Sequence, residues 1–173
     1  MSAPQMRIRN LEDQFVYELE AVYDMEVKLV EPLGELSQMA KSETLSEGFE
    51  THREQTKEHV ERVEAAFLAL GREPTRRENL VVDALLEEKA VYDESVTVDD
   101  LRDVHYIGAG METERFEIAS YEALLLTAKK AGLGDDVTDP LAENLEEEQQ
   151  ALKKLKAVSN GSGLKSLWTR LTG

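Results

Sequence analysis

The chain has 173 residues, with 36 Asp and Glu against 20 Lys and Arg, a net charge of −16 and no cysteine. That length sets an expectation of one domain with a real core. A hydrophobic share of 41% with only 10 Gly and 4 Pro excludes collagen-like, low-complexity and largely disordered chains. Without thiols there is no disulfide framework, thiolate metal site or Cys nucleophile, so any metal must be held by His, Asp or Glu. The acidity argues against nucleic acid and anionic membrane surfaces as partners. It fits a solvated surface and equally a high-salt cytoplasm. The longest apolar run, Ala65–Leu70, is too short to span a bilayer. The opening MSAPQMRIRN has no apolar signal region, so a cytoplasmic location is expected.

Five helical segments and no strand are predicted. The first opens after Asn10, a good N-cap, and runs to about Lys41 with Pro32 as an expected kink. The second starts at Thr44, where Thr44 and Glu47 have capping-box spacing, and stops at Gly71. A shorter one follows a similar pair, Thr75 and Glu78, and continues to about Ser95. The fourth spans from near Thr97 to Gly132. The fifth takes Asp139 as cap with Pro140 at the first helical position, and ends near Ser159. Two hairpins with short turns, joined by one long connection at 71–96, predict an all-α four-helix bundle whose single crossover carries a short extra helix. The bundle is expected over 1–159. Residues 160–173, a Gly/Ser linker followed by Leu164, Leu167, Trp168 and Leu171, read as a short amphipathic tail. Such a tail either folds back on its own bundle or docks a partner.

Each long helix carries a stripe of apolar residues at helical spacing. The first has Phe15, Leu19, Val22, Glu26, Leu29 and Leu33; the second has Leu45, Phe49, His52, Thr56, His59 and Val63. The fourth has Val104, Ile107, Met111, Glu114, Ile118 and Tyr121; the fifth has Leu141, Leu145, Glu148 and Leu152. Near its middle every stripe is interrupted by a carboxylate or an imidazole, and Glu117 flanks Glu114 one turn on. With 26 glutamates in the chain, any one of these could turn to solvent; their coincidence at mid-helix favours a site. A buried carboxylate without a partner costs several kcal/mol, about what a whole core side chain contributes or more. No Lys or Arg lies on the stripes, whereas two divalent cations would balance Glu26, Glu114, Glu117 and Glu148. Oxygen and imidazole donors without sulfur suit iron or manganese in a paired site.

The segments VYDMEVKL at 22–29, FETHREQTKEHVERVE at 49–64, ETERFEIASYEALL at 112–125 and NLEEEQQALKKL at 144–155 resemble the YciE/YciF family of ferritin-like stress proteins. The resemblance covers roughly residues 10–158, and its most specific element is E-x-x-E-I-A-x-Y, with Glu114, Glu117 and Tyr121. It implies a ferritin-like bundle, a homodimer, and kinship with di-iron and di-manganese proteins. The ferritin E-x-x-H pattern is absent, since Thr56 precedes His59 by three and Phe49 precedes His52 by three. Gln55 stands where the family often has an acid after His52. Glu26 sits level with His59, while His52 lies about 10 Å nearer the first turn, so both histidines are candidate ligands. The expected metal set is Glu26, His52, His59, Glu114, Glu117 and Glu148, in a protein of stress response or metal and oxidant handling. The alternative is a metal-free helical module with a structural or interaction role.

Overall fold

The computed structural model describes residues 7–161, and among these there are helices and no strand. Helix α1 spans Leu11–Met39, α2 Glu43–Ala69, α3 Leu80–Ser95, α4 Arg102–Ala131 and α5 Asp135–Asn160, with a 3-10 turn at Asp99–Leu101. The helix α1 packs on α2 and α4, and α5 packs on α4 and α2, so the four long helices close a ring. Connections of three residues, 40–42 and 132–134, make each hairpin antiparallel. The long crossover is 70–101 and carries α3. Bundle and crossover therefore have the expected form. The amphipathic tail lies outside the described residues.

Several boundaries differ from the sequence expectation, each for a physical reason. The helix α2 is capped by Ser42, whose hydroxyl accepts from Leu45 N, rather than by Thr44. The pair Thr75 and Glu78 does not open a helix, because residues 72–79 are bound in extended form along α1. The Arg77 N–H donates to Glu20 O, and its guanidinium donates to Tyr17 O and lies 3.6 Å over the Tyr17 ring. Asn79 is the cap instead, accepting from Val81 N and Val82 N. The helix α5 starts after Gly134, so Pro140 is its sixth residue and not its first. Proline's missing N–H leaves the carbonyl of Asp136, an exposed residue, without its intrahelical donor. The helix α1 is continuous through Pro32, and α4 begins at Arg102 with Val104 exposed rather than in the core. Val82 and Leu124, which lie off the predicted stripes, are fully buried in the core.

Along all four long helices the interior has the same order. One apolar block gathers Phe15, Leu19, Val63, Phe67, Leu124 and Leu141, and a second gathers Leu45, Phe49, Tyr106 and Ile107. Between them, α2 places His52, Thr56 and His59, α4 places Glu114 and Glu117, and α5 places Asn144 and Glu148, all buried. A polar layer is thus enclosed between two apolar plugs.

Two buried aspartates hold the connections to this frame. Asp103, at the start of α4, accepts from Lys41 N and Ser42 N at 2.8 Å each, which pins the α1–α2 turn. Asp24 on α1 accepts from Asn79 N at 2.8 Å and Arg76 Nη2 at 2.8 Å, and pairs with Lys28 Nζ at 2.7 Å. Burial alone would raise the Asp24 carboxyl, but these donors hold it below its ordinary value. Asp24→Asn is expected to destabilise the protein by about 2–3 kcal/mol in urea unfolding, because a charge-assisted acceptor of several donors is lost. An unchanged midpoint would show that the crossover is held by other contacts.

Candidate metal centre

The six expected residues are brought together by four helices. Glu26 comes from α1, His52 and His59 from α2, Glu114 and Glu117 from α4, and Glu148 from α5. They form two groups in which the ligand atoms lie within 4.8 Å of one another: His52, Glu114, Glu117 and Glu148; and Glu26, His59 and Glu148. Glu148 belongs to both. His52 and His59 are seven residues apart, about 10 Å along the helix axis, yet their ring centroids are 6.3 Å apart. The two rings lean toward the shared carboxylate from either side.

The close approaches are not aligned hydrogen bonds. His59 Nδ1 lies 2.9 Å from Glu148 Oε1 and 3.5 Å from Glu26 Oε2, but none of these three atoms has a hydrogen-bond partner. His52 Nε2 lies 3.1 Å from Glu114 Oε1 and 3.4 Å from Glu148 Oε2. Of ten buried side-chain N and O atoms without a partner among the described residues, seven belong to these six residues. Each group gathers its donor atoms closely enough that it could hold a cation. Leaving such buried groups unpaired costs about 1–3 kcal/mol each.

The electrostatics follow from burial. It pushes the Glu114 carboxyl up to about 7 and the Glu148 carboxyl up to about 8, and raises Glu117 well above its ordinary value. The neighbouring Glu26 charge adds to each. Burial pulls His59 down, but Glu148 and Glu26 outweigh it and push the imidazole up to about 11. Four carboxylates and two imidazoles, all oxygen and nitrogen, offer a donor set that fits divalent iron or manganese.

A surrounding network holds the ligands in place. The Tyr121 hydroxyl donates to Glu26 Oε1, leaving Oε2 to face His59. Asn144 Nδ2 donates to the Tyr121 hydroxyl at 2.9 Å and to His59 O at 3.2 Å. His59 Nε2 lies 2.8 Å from Glu147 Oε2, which also accepts from Arg62 Nη1 at 3.0 Å. A carboxylate on the far ring nitrogen fixes the tautomer and orientation of a ligand histidine. Asn144, Glu147 and Arg62 were not among the sequence candidates. Asn144 lies one turn before Glu148 on α5, a signal that helical spacing carries, whereas nothing in the local sequence marks Glu147 or Arg62.

The family model described as a domain of unknown function, DUF892, matches residues 10–166. Protein YciF of Escherichia coli (strain K12) is 31% identical over 158 residues, covering 90% of this chain and 95% of that protein. The crystal structure of the E. coli stress protein YciF matches with a TM-score of 0.81 at 30% identity, covering 87% of this chain and 95% of that one. YcfI from Rhodopseudomonas palustris, provisionally described as a structural protein, matches with a TM-score of 0.85 at 27% identity over 89% of this chain and 98% of its own. Fold, length and sequence agree throughout, and the chain belongs to the YciF-like DUF892 family.

Proposed function

We propose that the protein is a ferritin-like dinuclear metal protein that handles metal or oxidant under stress, with iron or manganese as the pair. The observation that carries it is Glu148, fully buried, with both oxygens unpartnered and a histidine close to each. Glu26 and His59 would hold one ion, His52, Glu114 and Glu117 the other, and Glu148 would bridge them. When bound, such a pair supplies electron exchange with dioxygen or peroxide. The chain contributes the rest. The two apolar plugs limit water, Tyr121 orients Glu26, and the Glu147–His59 contact fixes the imidazole.

A metal-free structural role is the second reading, favoured by the proximity of protonated His59 to Glu26 and Glu148, which offsets part of their charge. Elemental analysis of protein purified without chelator or added metal separates the two. About two iron or manganese ions per chain are expected, falling to near zero in Glu148→Gln and to about one in Glu114→Gln. The metal-free form of Glu114→Gln should melt higher than the metal-free parent, because the swap removes a buried charge and keeps the shape. No metal after reconstitution of the parent decides for the structural role.

The same carboxylates make metal-free stability depend on pH. Glu114 and Glu148 keep protons when folded that the unfolded chain releases above its ordinary value of 4.5. Their contribution therefore falls as pH rises through about 7 to 8. His59 stays protonated when folded but not when unfolded above 6.5, so its contribution also falls with rising pH. Thermal melts in chelator should show a midpoint that declines from about pH 5 to pH 8. Excess manganese should flatten or reverse the slope, since binding takes the deprotonated ligands. A metal-free midpoint that rises across this range contradicts the buried charges.

A homodimer in the cytoplasm completes the proposal. No described helix is long and apolar enough to cross a membrane. Val81, Val91, Val98, Leu101 and Val104 expose apolar surface around the crossover, where a second copy would cover them. Light scattering is expected to give twice the 19.5 kDa chain mass; a single-chain mass at working salt removes the dimer.

A further inference from the structure

Two pockets reach the polar layer, and both end on the same side of it. A pocket of about 220 Å³ between α2 and α5 runs inward past Leu45, Phe49, Ala151 and Leu155 to His52, Gln55 and Glu114. A smaller one of about 60 Å³, between α1, α3 and α4, also touches His52 and Glu114, and Glu117 as well. Neither is lined by Glu26, His59 or Glu148. A molecule entering either pocket therefore meets residues of the His52 group.

We propose that the pocket between α2 and α5 binds a compact, uncharged apolar molecule bearing one hydroxyl-type oxygen, with that oxygen turned toward His52 and Glu114. Size sets the first limit. A cavity of about 150 Å³ lined by apolar side chains holds a benzene ring, so 220 Å³ takes a ring or short chain with a small head group. The walls favour apolar contact, while the inner end is polar, lined by His52, Gln55 and Glu114, and two of these residues carry a buried atom without a partner, His52 Nδ1 and Glu114 Oε2. Charge sets the second limit. Lys154 and Glu47 are the charged residues at the rim and oppose one another, so neither sign is selected there. The net charge of −16 disfavours an anion further. The smaller pocket has room only for water-sized molecules.

The orientation of the oxygen rests on the proposed metal centre, whereas occupancy of the pocket does not. Phenol serves as the probe, titrated by NMR into the full chain with and without manganese, beside benzoate as the charged analogue. Saturable phenol binding with a dissociation constant of about 1 mM or below is expected for the metal-free protein, and benzoate about tenfold weaker. Gly48→Phe should weaken phenol by at least about tenfold, because a Cβ at Gly48 meets nothing within 4 Å and the added ring has the pocket to fill. Ala151→Leu, from the α5 wall, should act likewise, with helix content and metal content measured on both variants. In the manganese-loaded protein the bound ring protons should broaden strongly. Phenol that fails to saturate, that binds equally to both folded variants, or that binds no better than benzoate overturns the pocket. Saturable binding without manganese broadening, in protein shown to hold manganese, overturns the orientation. Failure to take up manganese at all refutes the metal centre, and the metal-free titration still decides the pocket.

Discussion

Four carboxylates from three helices meet at the centre of the bundle, and their mutual repulsion is the constraint around which the remaining packing is arranged. Glu26, Glu114, Glu117 and Glu148 are each nearly or wholly removed from solvent. Solvent screens them little, and the low dielectric that favours their protonated forms would make the attraction of their charged forms to a cation strong. The apolar blocks on either side supply the rigidity that keeps the four from splaying apart. Hydrophobic burial at the ends of the bundle thus sustains electrostatic tension at its middle.

The surrounding hydrogen bonds decide how that tension is directed. Tyr121 engages one oxygen of Glu26, so the other is committed to the interior. Asn144 links Tyr121 to the backbone of His59, and Arg62 joins Asn144 to Glu147. One connected path therefore runs from the partly buried Arg62 guanidinium to His59 and Glu26 of the His59 group. Substitutions along it would alter orientation before they altered charge. The His52 group lacks such a path and faces the pockets instead. The two halves of the layer differ in rigidity and access as well as in composition.

Much of this was legible in the sequence because helical periodicity is local. The stripe through His52, Thr56 and His59 on α2, and that through Glu114 and Glu117 on α4, need only a 3.6-residue count to be seen as inward-facing. The level argument that set Glu26 opposite His59 also agrees with their 3.5 Å approach. What periodicity could not reveal depended on side-chain reach or on distant partners. The leaning of two rings toward Glu148 across two helical turns is one case. The extended path of residues 72–79 is another, since Tyr17, Glu20 and Asp24 override a local capping signal. The start of α5 was misplaced because proline at a first helical position and proline at a sixth position within the first two turns read alike in one dimension.

The helix α3 fully buries one side chain, Val82, sets the half-buried Leu86 against the core, and is further held by charge: Lys28 to Asp83, Lys89 to Glu35 and Asp93, and Asp93 to Arg102 and the Tyr106 hydroxyl. Ion pairs at half-exposed positions weaken as salt screens them, whereas the apolar plugs do not. Added salt is therefore expected to lower the free energy of opening the crossover more than that of opening the four-helix ring. The crossover's backbone amides would exchange with solvent through openings far smaller than global unfolding. Because Leu85, Leu86 and Lys89 of α3 form one wall of the smaller pocket, each such opening also uncovers the approach to Glu114 and Glu117. Ionic strength is thereby expected to alter solvent entry to the carboxylates without touching them.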